Sequence, residues 1–272
     1  MHDSIKARLS PILRLRILCL ILSTLAGSGC TVLEPQVYPR NSGNIILTFD
    51  DGPSANGSPA LLDVLAAHEV PATFCYIGKG VAENPEIAAR ALAEGHAIAN
   101  HSYFHELETL ADANHLADEV EQFNALIADI SDGAYAVERF RPPLGIITPG
   151  VAEVIEAHGL GYAYVTFFIN DAWTGPDGAE AFIAELKGKL LEHGGGAIVI
   201  HEKRHPLDPD AEEVDKSWVP GAVDELIGWA KAEGFTFVHY PDYEPGELPP
   251  SVDPEDYGMR ARHQRRPGIA GF

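Results

Sequence analysis

Short apolar runs alternate with longer stretches of helical periodicity from Asn44 onward, and this alternation limits the folds open to the chain. Strands joined by helices in this way usually lie parallel in one sheet, so the pattern predicts an α/β fold of repeated strand–helix units. The predicted strands are Ile45–Phe49, Ala72–Ile77, Ala97–Ala99, Arg139–Phe140, Ala163–Thr166, Ala197–Ile200 and Thr236–Val238. The predicted helices are Pro59–His68, Pro85–Glu94, Leu116–Ile130, Pro149–His158, Ala179–His193 and Gly221–Glu233. A chain of 272 residues is long enough for one such domain with tails.

The overall charge is strongly acidic. The formal net charge is -21, from 40 acidic and 19 basic residues. Such a balance disfavours nucleic acids and anionic lipid head groups as partners, because their phosphates would be repelled. It is consistent with solubility, with a salty medium, or with attraction to cationic polymers such as partly deacetylated amino sugars. The sequence indicates no obligate protein partner.

The amino terminus has the layout of an export signal. Four basic residues precede the apolar run Ile17–Leu25, which is short for a membrane span, and small residues then lead to Cys30. We therefore expect residues 1–29 to be a signal peptide and the protein to reach the cell envelope or periplasm. Cys30 resembles the acylated cysteine of a bacterial lipoprotein, which would anchor the chain to a membrane. However, Gly27 stands where such sites usually carry leucine, so ordinary cleavage and an uncleaved anchor stay open.

The predicted domain covers residues 44–240, after a linker of residues 30–43. Residues 241–272 are rich in proline, glycine and charge, which is typical of a flexible tail. The simplest interpretation is a solvated tail without a role, and the alternative is that its arginines contact anionic cell-wall polymer or lipid. Cys75 is expected to be a buried free thiol, because Cys19 and Cys30 belong to the signal region.

Two adjacent acids, Asp50 and Asp51, follow the first predicted strand and precede a Gly-Pro turn. Ligands gather at the carboxyl ends of parallel strands, so both acids are well placed for a functional site. Burying two neighbouring carboxylates is costly unless a cation or a proton offsets the charge. A metal ion bound by one acid, with the other left to accept a proton, resolves that conflict. By itself an Asp-Asp-Gly turn is weak evidence, since such turns end strands in many proteins.

Two histidines, His101 and His105, follow the third predicted strand. Residues four positions apart lie on one face of a helix, so both imidazoles could bind one ion if this segment is helical. Together with a carboxylate they form a set of two histidines and one acid, which leaves coordination positions free for water and substrate.

Two further strand ends carry residues suited to catalysis. Arg141 precedes two prolines, which would hold it rigidly enough to pair with Asp50. His201 ends an apolar strand and is a natural general acid for a leaving amine, because the ordinary pKa of histidine lies near neutrality.

In this order and spacing, the four segments resemble the NodB-type polysaccharide deacetylases of carbohydrate esterase family 4. The resemblance extends over the predicted domain and rests on Thr48–Gly52, the pair His101 and His105, Arg141-Pro142-Pro143 and the strand ending at His201. It implies a distorted (β/α) barrel of the NodB type, forming a single catalytic domain. It also implies one divalent metal ion, with zinc expected first and cobalt or another transition metal as alternatives.

The same resemblance implies a role for each residue around the ion. Asp51, His101 and His105 would be the metal ligands. Asp50 would be the general base that activates water beside the ion, and Arg141 would orient Asp50.

The resemblance also implies roles for residues around the acid. His201 would protonate the departing sugar amine, and a backbone N–H near Leu144 would stabilise the oxyanion. The family pattern has Asp followed directly by Trp, whereas this chain reads Asp171-Ala172-Trp173. Either Asp171 still reaches His201 and tunes its pKa, with Trp173 as a wall for the sugar, or the register is changed and the tuning is lost. Leu144 departs as well, since an aromatic residue is common there.

The implied activity is a metal-dependent hydrolase that removes N-acetyl groups from polysaccharides containing N-acetylglucosamine. Peptidoglycan, chitin-like chains and exopolysaccharide are the expected substrates, and acetate is the expected product. Two alternatives stay open: a non-catalytic envelope lipoprotein that binds glycan with the same fold, and a NodB-fold hydrolase of another C–N bond.

Overall fold

The computed structural model describes residues 31–32, 42–203 and 213–241. The predicted signal, Cys30, most of the predicted linker and all but the first residue of the predicted tail lie outside the described residues. The domain boundaries drawn from the sequence therefore stay predictions.

The strands are β1 (Thr31–Val32), β2 (Asn44–Asp50), β3 (Thr73–Tyr76), β4 (Ala97–Asn100), β5 (Arg139–Phe140), β6 (Ile146–Ile147), β7 (Gly161–Tyr162), β8 (Gly196–His201) and β9 (Thr236–Phe237). The main sheet has the order β7-β5-β4-β3-β2-β8, and its neighbouring strands are parallel. β9 pairs with the amino-terminal end of β2, and β1 forms a separate antiparallel pair with β6.

The helices are α1 (Ser58–His68), α2 (Gly78–Glu83), α3 (Pro85–Ala93), α4 (Leu107–Ala111), α5 (Ala113–Ile130), α6 (Pro149–Ala157), α7 (Ala179–His193) and α8 (Val219–Ala232). Prolines stand in the first turns of α1, α3 and α6, where a missing N–H costs nothing, and Gly194 ends α7 in the left-handed conformation. Within the described residues, no helix combines the length and apolarity needed to cross a bilayer.

The sheet curls into a distorted barrel, with β7 and β8 at the two ends of the strand order. Thr166, which follows β7, bridges these ends. Its N–H donates to the carbonyl of Ala197 (2.7 Å), and the N–H of Ala197 donates to the Thr166 hydroxyl (2.8 Å). The sequence prediction of a distorted α/β barrel is confirmed.

Side chains of β2 alternate between two environments, as the period of a strand requires. Ile45, Leu47 and Phe49 point outward and pack in the main core with side chains of α1, α7 and α8. Ile46 points inward and packs with Tyr164 of the opposite wall. Apolar side chains of the strands therefore occupy the barrel interior beside Ile46, and the carboxyl ends of the strands are where functional groups can gather.

Most strands and helices agree with the sequence prediction to within a few residues, but the predicted strand Ala163–Thr166 is wrong. The strand of this region is Gly161–Tyr162. The backbone N–H of Ala197 donates to the Thr166 hydroxyl instead of to a backbone carbonyl, so a regular ladder does not continue there. The sequence pattern also missed α2 and α4, which are too short to show a clear period.

Gly195 lies where the chain enters β8 and has a φ of +115°. A Cβ at this position would lie 2.3 Å from the carbonyl oxygen of Asn44, so Gly195→Ala should destabilise the fold by about 2 kcal/mol or more. The matched control is Gly188→Ala in α7, where a Cβ meets nothing within 4 Å. That change should stabilise by about 0.5–1 kcal/mol. Urea unfolding measures both, and equal stability of the two variants would contradict the packing described for β8.

Candidate active site

The functional residues lie at one edge of the sheet because the parallel register aligns the carboxyl ends of the strands. Asp50, at the end of β2, is level with Cys75 of β3 and with His201 of β8. Asn100, at the end of β4, is level with Phe140 of β5. The residues at and just after these strand ends therefore meet, although Asp50 and His201 lie 151 positions apart in sequence.

Asp51, His101 and His105 form a buried cluster whose ligand atoms all lie within 4.8 Å of one another. Asp51 Oδ1 is 3.4 Å from Nε2 of His101 and 3.6 Å from Nε2 of His105. Two imidazoles and one carboxylate are a donor set that zinc and related divalent ions accept. The residues therefore fit a divalent metal ion, and this part of the predicted metal centre is supported by the geometry.

His101 is oriented by a backbone carbonyl. Its Nδ1 lies 2.6 Å from the carbonyl oxygen of Arg141. Because a carbonyl can only accept, Nδ1 donates its proton to it, and Nε2 is the nitrogen that faces Asp51. A second hydrogen bond of this kind fixes the tautomer and orientation of metal-binding histidines.

The cluster also keeps Asp51 ionised. Burial by itself would raise the pKa of Asp51, but the charge of His105, a hydrogen bond from His101 and the charge of His201 lower it well below its usual range. A carboxylate whose pKa is lowered in this way favours its charged form, which is the form that binds a cation.

The segment that carries the two histidines is a loop, so the helical spacing considered from the sequence does not explain why they converge. Side chains take up the backbone N–H groups that a helix would use internally. Asn100 Oδ1 accepts from the N–H of Ser102 (2.8 Å), and the Ser102 hydroxyl accepts from the N–H of His105 (2.9 Å). The two imidazole centroids still lie 4.8 Å apart.

Glu119 of α5 holds the middle of this loop. Its Oε2 accepts from the N–H groups of Tyr103 (2.8 Å) and Phe104 (2.9 Å), and its Oε1 accepts from the Thr109 hydroxyl (2.5 Å). Glu119 is buried, so these hydrogen bonds offset the cost of burying its charge. The sequence analysis did not identify this residue, because it lies on the apolar face of a long helix. The signal in the sequence was an acidic residue at a position of the helix where the apolar pattern predicts burial.

Asp50 is held by Arg141, as the sequence suggested. Arg141 Nη1 lies 3.1 Å from Asp50 Oδ2, and Nη2 lies 3.0 Å from the Thr48 hydroxyl. The other carboxylate oxygen of Asp50, Oδ1, is buried and has no hydrogen-bond partner among the described residues. One oxygen is therefore fixed, and the other remains able to accept a proton.

Asp171 reaches His201 despite the altered spacing to Trp173. Its Oδ1 lies 2.5 Å from Nδ1 of His201, and its Oδ2 accepts from the backbone N–H of His201 (2.8 Å). Burial would lower the pKa of His201, but the charge and hydrogen bond of Asp171, assisted by Asp51 and Asp50, raise it to about 9. The imidazole is therefore protonated at neutral pH, and Nε2 is the nitrogen left for a substrate.

Lys216 supports this pair and was not identified from the sequence. Its ammonium donates to the backbone carbonyl of Asp171 and lies 3.4 Å from Asp171 Oδ2. The next aromatic residue, Trp218, donates its indole N–H to the carbonyl of Thr174 (3.0 Å). Both contacts fasten the segment after Asp171 to the start of α8. A lone lysine in a polar stretch offered no signal in the sequence.

Glu202 explains why glycine follows the two acids. Its Oε1 lies where a Cβ on Gly52 would be, at 1.7 Å, so a side chain at position 52 would collide with it. Glu202 is buried and accepts from the Ser58 hydroxyl (2.5 Å). Burial, together with the charges of Asp51 and Asp50 and against the Ser58 hydrogen bond, raises its pKa to about 8.

Four non-glycine residues around the site have left-handed backbone: Asp51 (φ 69°), Ser102 (63°), His105 (58°) and Leu144 (58°). Each costs about 1–2 kcal/mol relative to the right-handed conformation. The other such residues in the described chain lie just past the ends of α1 and α5, where a left-handed residue is common. Strained backbone that is held by its surroundings clusters at functional sites.

The two predicted substrate-binding residues lie near this rim. Leu144 belongs to the turn Pro143–Gly145, which follows Arg141, and is half-buried against the smaller core cluster. Trp173 follows Asp171 by two residues and leaves 53% of its surface exposed. An exposed indole is suited to stack against a sugar ring.

A family model described as polysaccharide deacetylase matches residues 38–163. A chitooligosaccharide deacetylase of Bradyrhizobium sp. is 34% identical over 163 residues, which are 60% of this chain and 72% of that protein. The peptidoglycan-N-acetylglucosamine deacetylase PgdA of Listeria monocytogenes is 35% identical over 126 residues, which are 46% of this chain. The match spans only 27% of the length of the Listeria protein.

Solved structures show the same similarity. The Bc1960 peptidoglycan N-acetylglucosamine deacetylase superimposes with a TM-score of 0.62 at 26% identity, covering 75% of this chain and 88% of that one. A family 4 acetyl xylan esterase from Clostridium thermocellum, solved with a cobalt ion, superimposes with a TM-score of 0.60 at 25% identity, covering 72% and 87%.

Replacing Asp171 with Asn should lower the pKa of His201 from about 9 towards the ordinary value of histidine, because the imidazolium loses its negative partner. An NMR titration of the imidazole C–H resonances measures this shift without any substrate. Asp177→Asn, in an exposed turn of the same segment, is the control and should leave the pKa unchanged. An unshifted His201 in the Asp171→Asn protein would contradict the pairing.

Proposed function

The chain belongs to the polysaccharide deacetylase family, and on that premise we propose that it hydrolyses the N-acetyl groups of a polysaccharide containing N-acetylglucosamine and releases acetate. The observation that carries this proposal is the position of Asp50. Its Oδ1 is buried and has no hydrogen-bond partner among the described residues, and its Oδ2 lies 3.9 Å from Nε2 of His101, one of the three residues that could hold a metal ion.

Asp51, His101 and His105 would hold one divalent ion, and we propose zinc, with cobalt or another transition metal as alternatives. When bound, such an ion polarises the amide carbonyl and makes water more acidic. Asp50 acts as the general base. Arg141, which is itself bonded to Thr48, holds Oδ2 of Asp50, and Oδ1 accepts the proton of the attacking water.

His201 acts as the general acid. Asp171 keeps it protonated at neutral pH, so its Nε2–H can be transferred to the sugar nitrogen as the C–N bond breaks. Proton donation by His201 therefore requires pH values below about 9, the pKa of this residue.

Leu144 and Trp173 would contact the substrate. The turn that contains Leu144 follows Arg141 directly, and its left-handed backbone is consistent with an N–H aimed at the carbonyl oxygen where negative charge develops. The exposed indole of Trp173 would form a wall for the sugar.

The substrate class and location follow from the relatives and from the amino terminus. The named relatives act on peptidoglycan and on chitooligosaccharide, and we propose an envelope glycan of this kind for this chain. Residues 1–29 would direct export, and acylation of Cys30 would retain the enzyme at a membrane.

The proposal predicts acetate release from N-acetylglucosamine oligomers and from peptidoglycan, lost with a chelator and restored by zinc. Asp50→Asn should bind zinc in equal amount but release acetate about 100-fold more slowly or worse, because a positioned base contributes about 10²–10⁴-fold. The control Asp118→Asn changes an exposed acid of α5 and should keep the normal rate. Acetate is measured by an enzyme-coupled assay and zinc by atomic emission.

Two results would contradict the proposal. A normal rate in Asp50→Asn would remove Asp50 as the base. A wild-type protein that binds zinc in a one-to-one ratio yet releases no acetate would favour glycan binding without hydrolysis, or another amide substrate.

A further inference from the structure

The guanidinium of Arg141 is buried and charged, so the groups that accept its N–H donors determine where it stays. Nη1 donates to Asp50, and Nη2 donates to two hydroxyl groups, those of Thr48 and Tyr240. Nε has no partner within the described part of the chain. Among the described residues, the side chains that accept from this cation are therefore Asp50 and two neutral hydroxyls.

Both hydroxyls have their own protons committed elsewhere. The Thr48 hydroxyl donates to the carbonyl of Ile198 (2.7 Å), and the Tyr240 hydroxyl donates to the carbonyl of Tyr164. Each therefore turns a lone pair towards Arg141, with the Tyr240 oxygen 3.3 Å from Nη2. Burial, although opposed by the charge of Arg141, raises the pKa of Tyr240 above its usual range, so this hydroxyl keeps its proton.

Tyr240 is itself held firmly inside the barrel. It follows β9 and packs against Cys75, Ala99 and Ala163 on the inner wall. The guanidinium of Arg139 lies 4.7 Å from the centroid of the Tyr240 ring, and its Nη2 donates to the carbonyl of Pro241 (2.5 Å). A cation over the ring and a hydrogen bond to the next residue together hold Tyr240 beside Arg139.

We propose that Tyr240 is a positioning residue for Asp50, acting through Arg141. Its ring closes the barrel interior, and its hydroxyl holds the Arg141 guanidinium in the orientation that fixes Asp50 Oδ2. The last residues of the predicted domain thereby contribute to a site whose other members come from the strand ends. This inference rests on the proposed role of Asp50 as the base.

The test is Tyr240→Phe, which removes the hydroxyl but keeps the ring contacts with Arg139 and Tyr164. The matched control is Tyr135→Phe, because the Tyr135 hydroxyl also bonds to buried backbone, that of Ile98, but does not contact Arg141. Both changes are also made in an Arg141→Lys background. Acetate release from an N-acetylglucosamine pentamer gives kcat and KM, zinc content is measured, and thermal unfolding gives Tm.

Tyr240→Phe should lower kcat about tenfold with KM and zinc content unchanged, because Asp50 is less well oriented while the ligands are untouched. Tyr135→Phe should lower Tm and keep kcat within about twofold. In the Arg141→Lys background, Tyr240→Phe should reduce the remaining kcat by less than about twofold, because its effect passes through Arg141.

A normal kcat in Tyr240→Phe would overturn the proposal, and so would a tenfold loss that persists in the Arg141→Lys background. If the wild-type protein releases no acetate, the proposed function fails. The Tm values then test the contact between Tyr240 and Arg141 separately. The coupling is supported if the double variant Tyr240→Phe/Arg141→Lys loses less Tm than the two single variants lose in sum. Additive losses refute it.

Discussion

Two adjacent carboxylates, Asp50 and Asp51, are buried at the end of one strand, and the arrangement of the rest of the site follows from that constraint. Charges of this kind are stable in a protein interior only if each has its own compensation. Asp51 faces two imidazoles, and Asp50 faces the guanidinium of Arg141. The two acids thus have different partners, and this difference is the physical basis for assigning one to metal binding and the other to proton transfer.

The residues that hold these partners in place come from segments far apart in the described chain. The loop with the histidines is held by a buried acid of α5, the acid–histidine pair by Lys216, and the guanidinium by hydroxyls of β2 and of Tyr240. Several residues at the rim keep a costly left-handed backbone, which persists because hydrogen bonds around them specify it. Hydrogen bonds thus hold the groups of the site in place, as catalysis through positioned groups requires.

Much of this could be predicted from the sequence because it depends on local patterns. Apolar runs and proline or glycine signals located most strands and helices, and the residues that follow strand ends pointed to Asp50, Asp51, His101, Arg141 and His201. The supports could not be predicted, since Glu119, Lys216 and Tyr240 act through contacts between segments far apart in the chain. The strand predicted at Ala163–Thr166 failed for a similar reason: Thr166 joins β8 through its N–H and its hydroxyl group, and not through a continued ladder. The loop after β4 shows that histidines four residues apart can converge without a helix.

The central claim is that one divalent ion binds between Asp51, His101 and His105. The most direct measurement is anomalous X-ray diffraction at the zinc absorption edge from crystals of the protein grown with zinc. The account predicts a single strong peak in the described domain, about 2.0–2.2 Å from a carboxylate oxygen of Asp51 and from one nitrogen of each histidine. No peak at this position, or a peak bound by other residues, would contradict it.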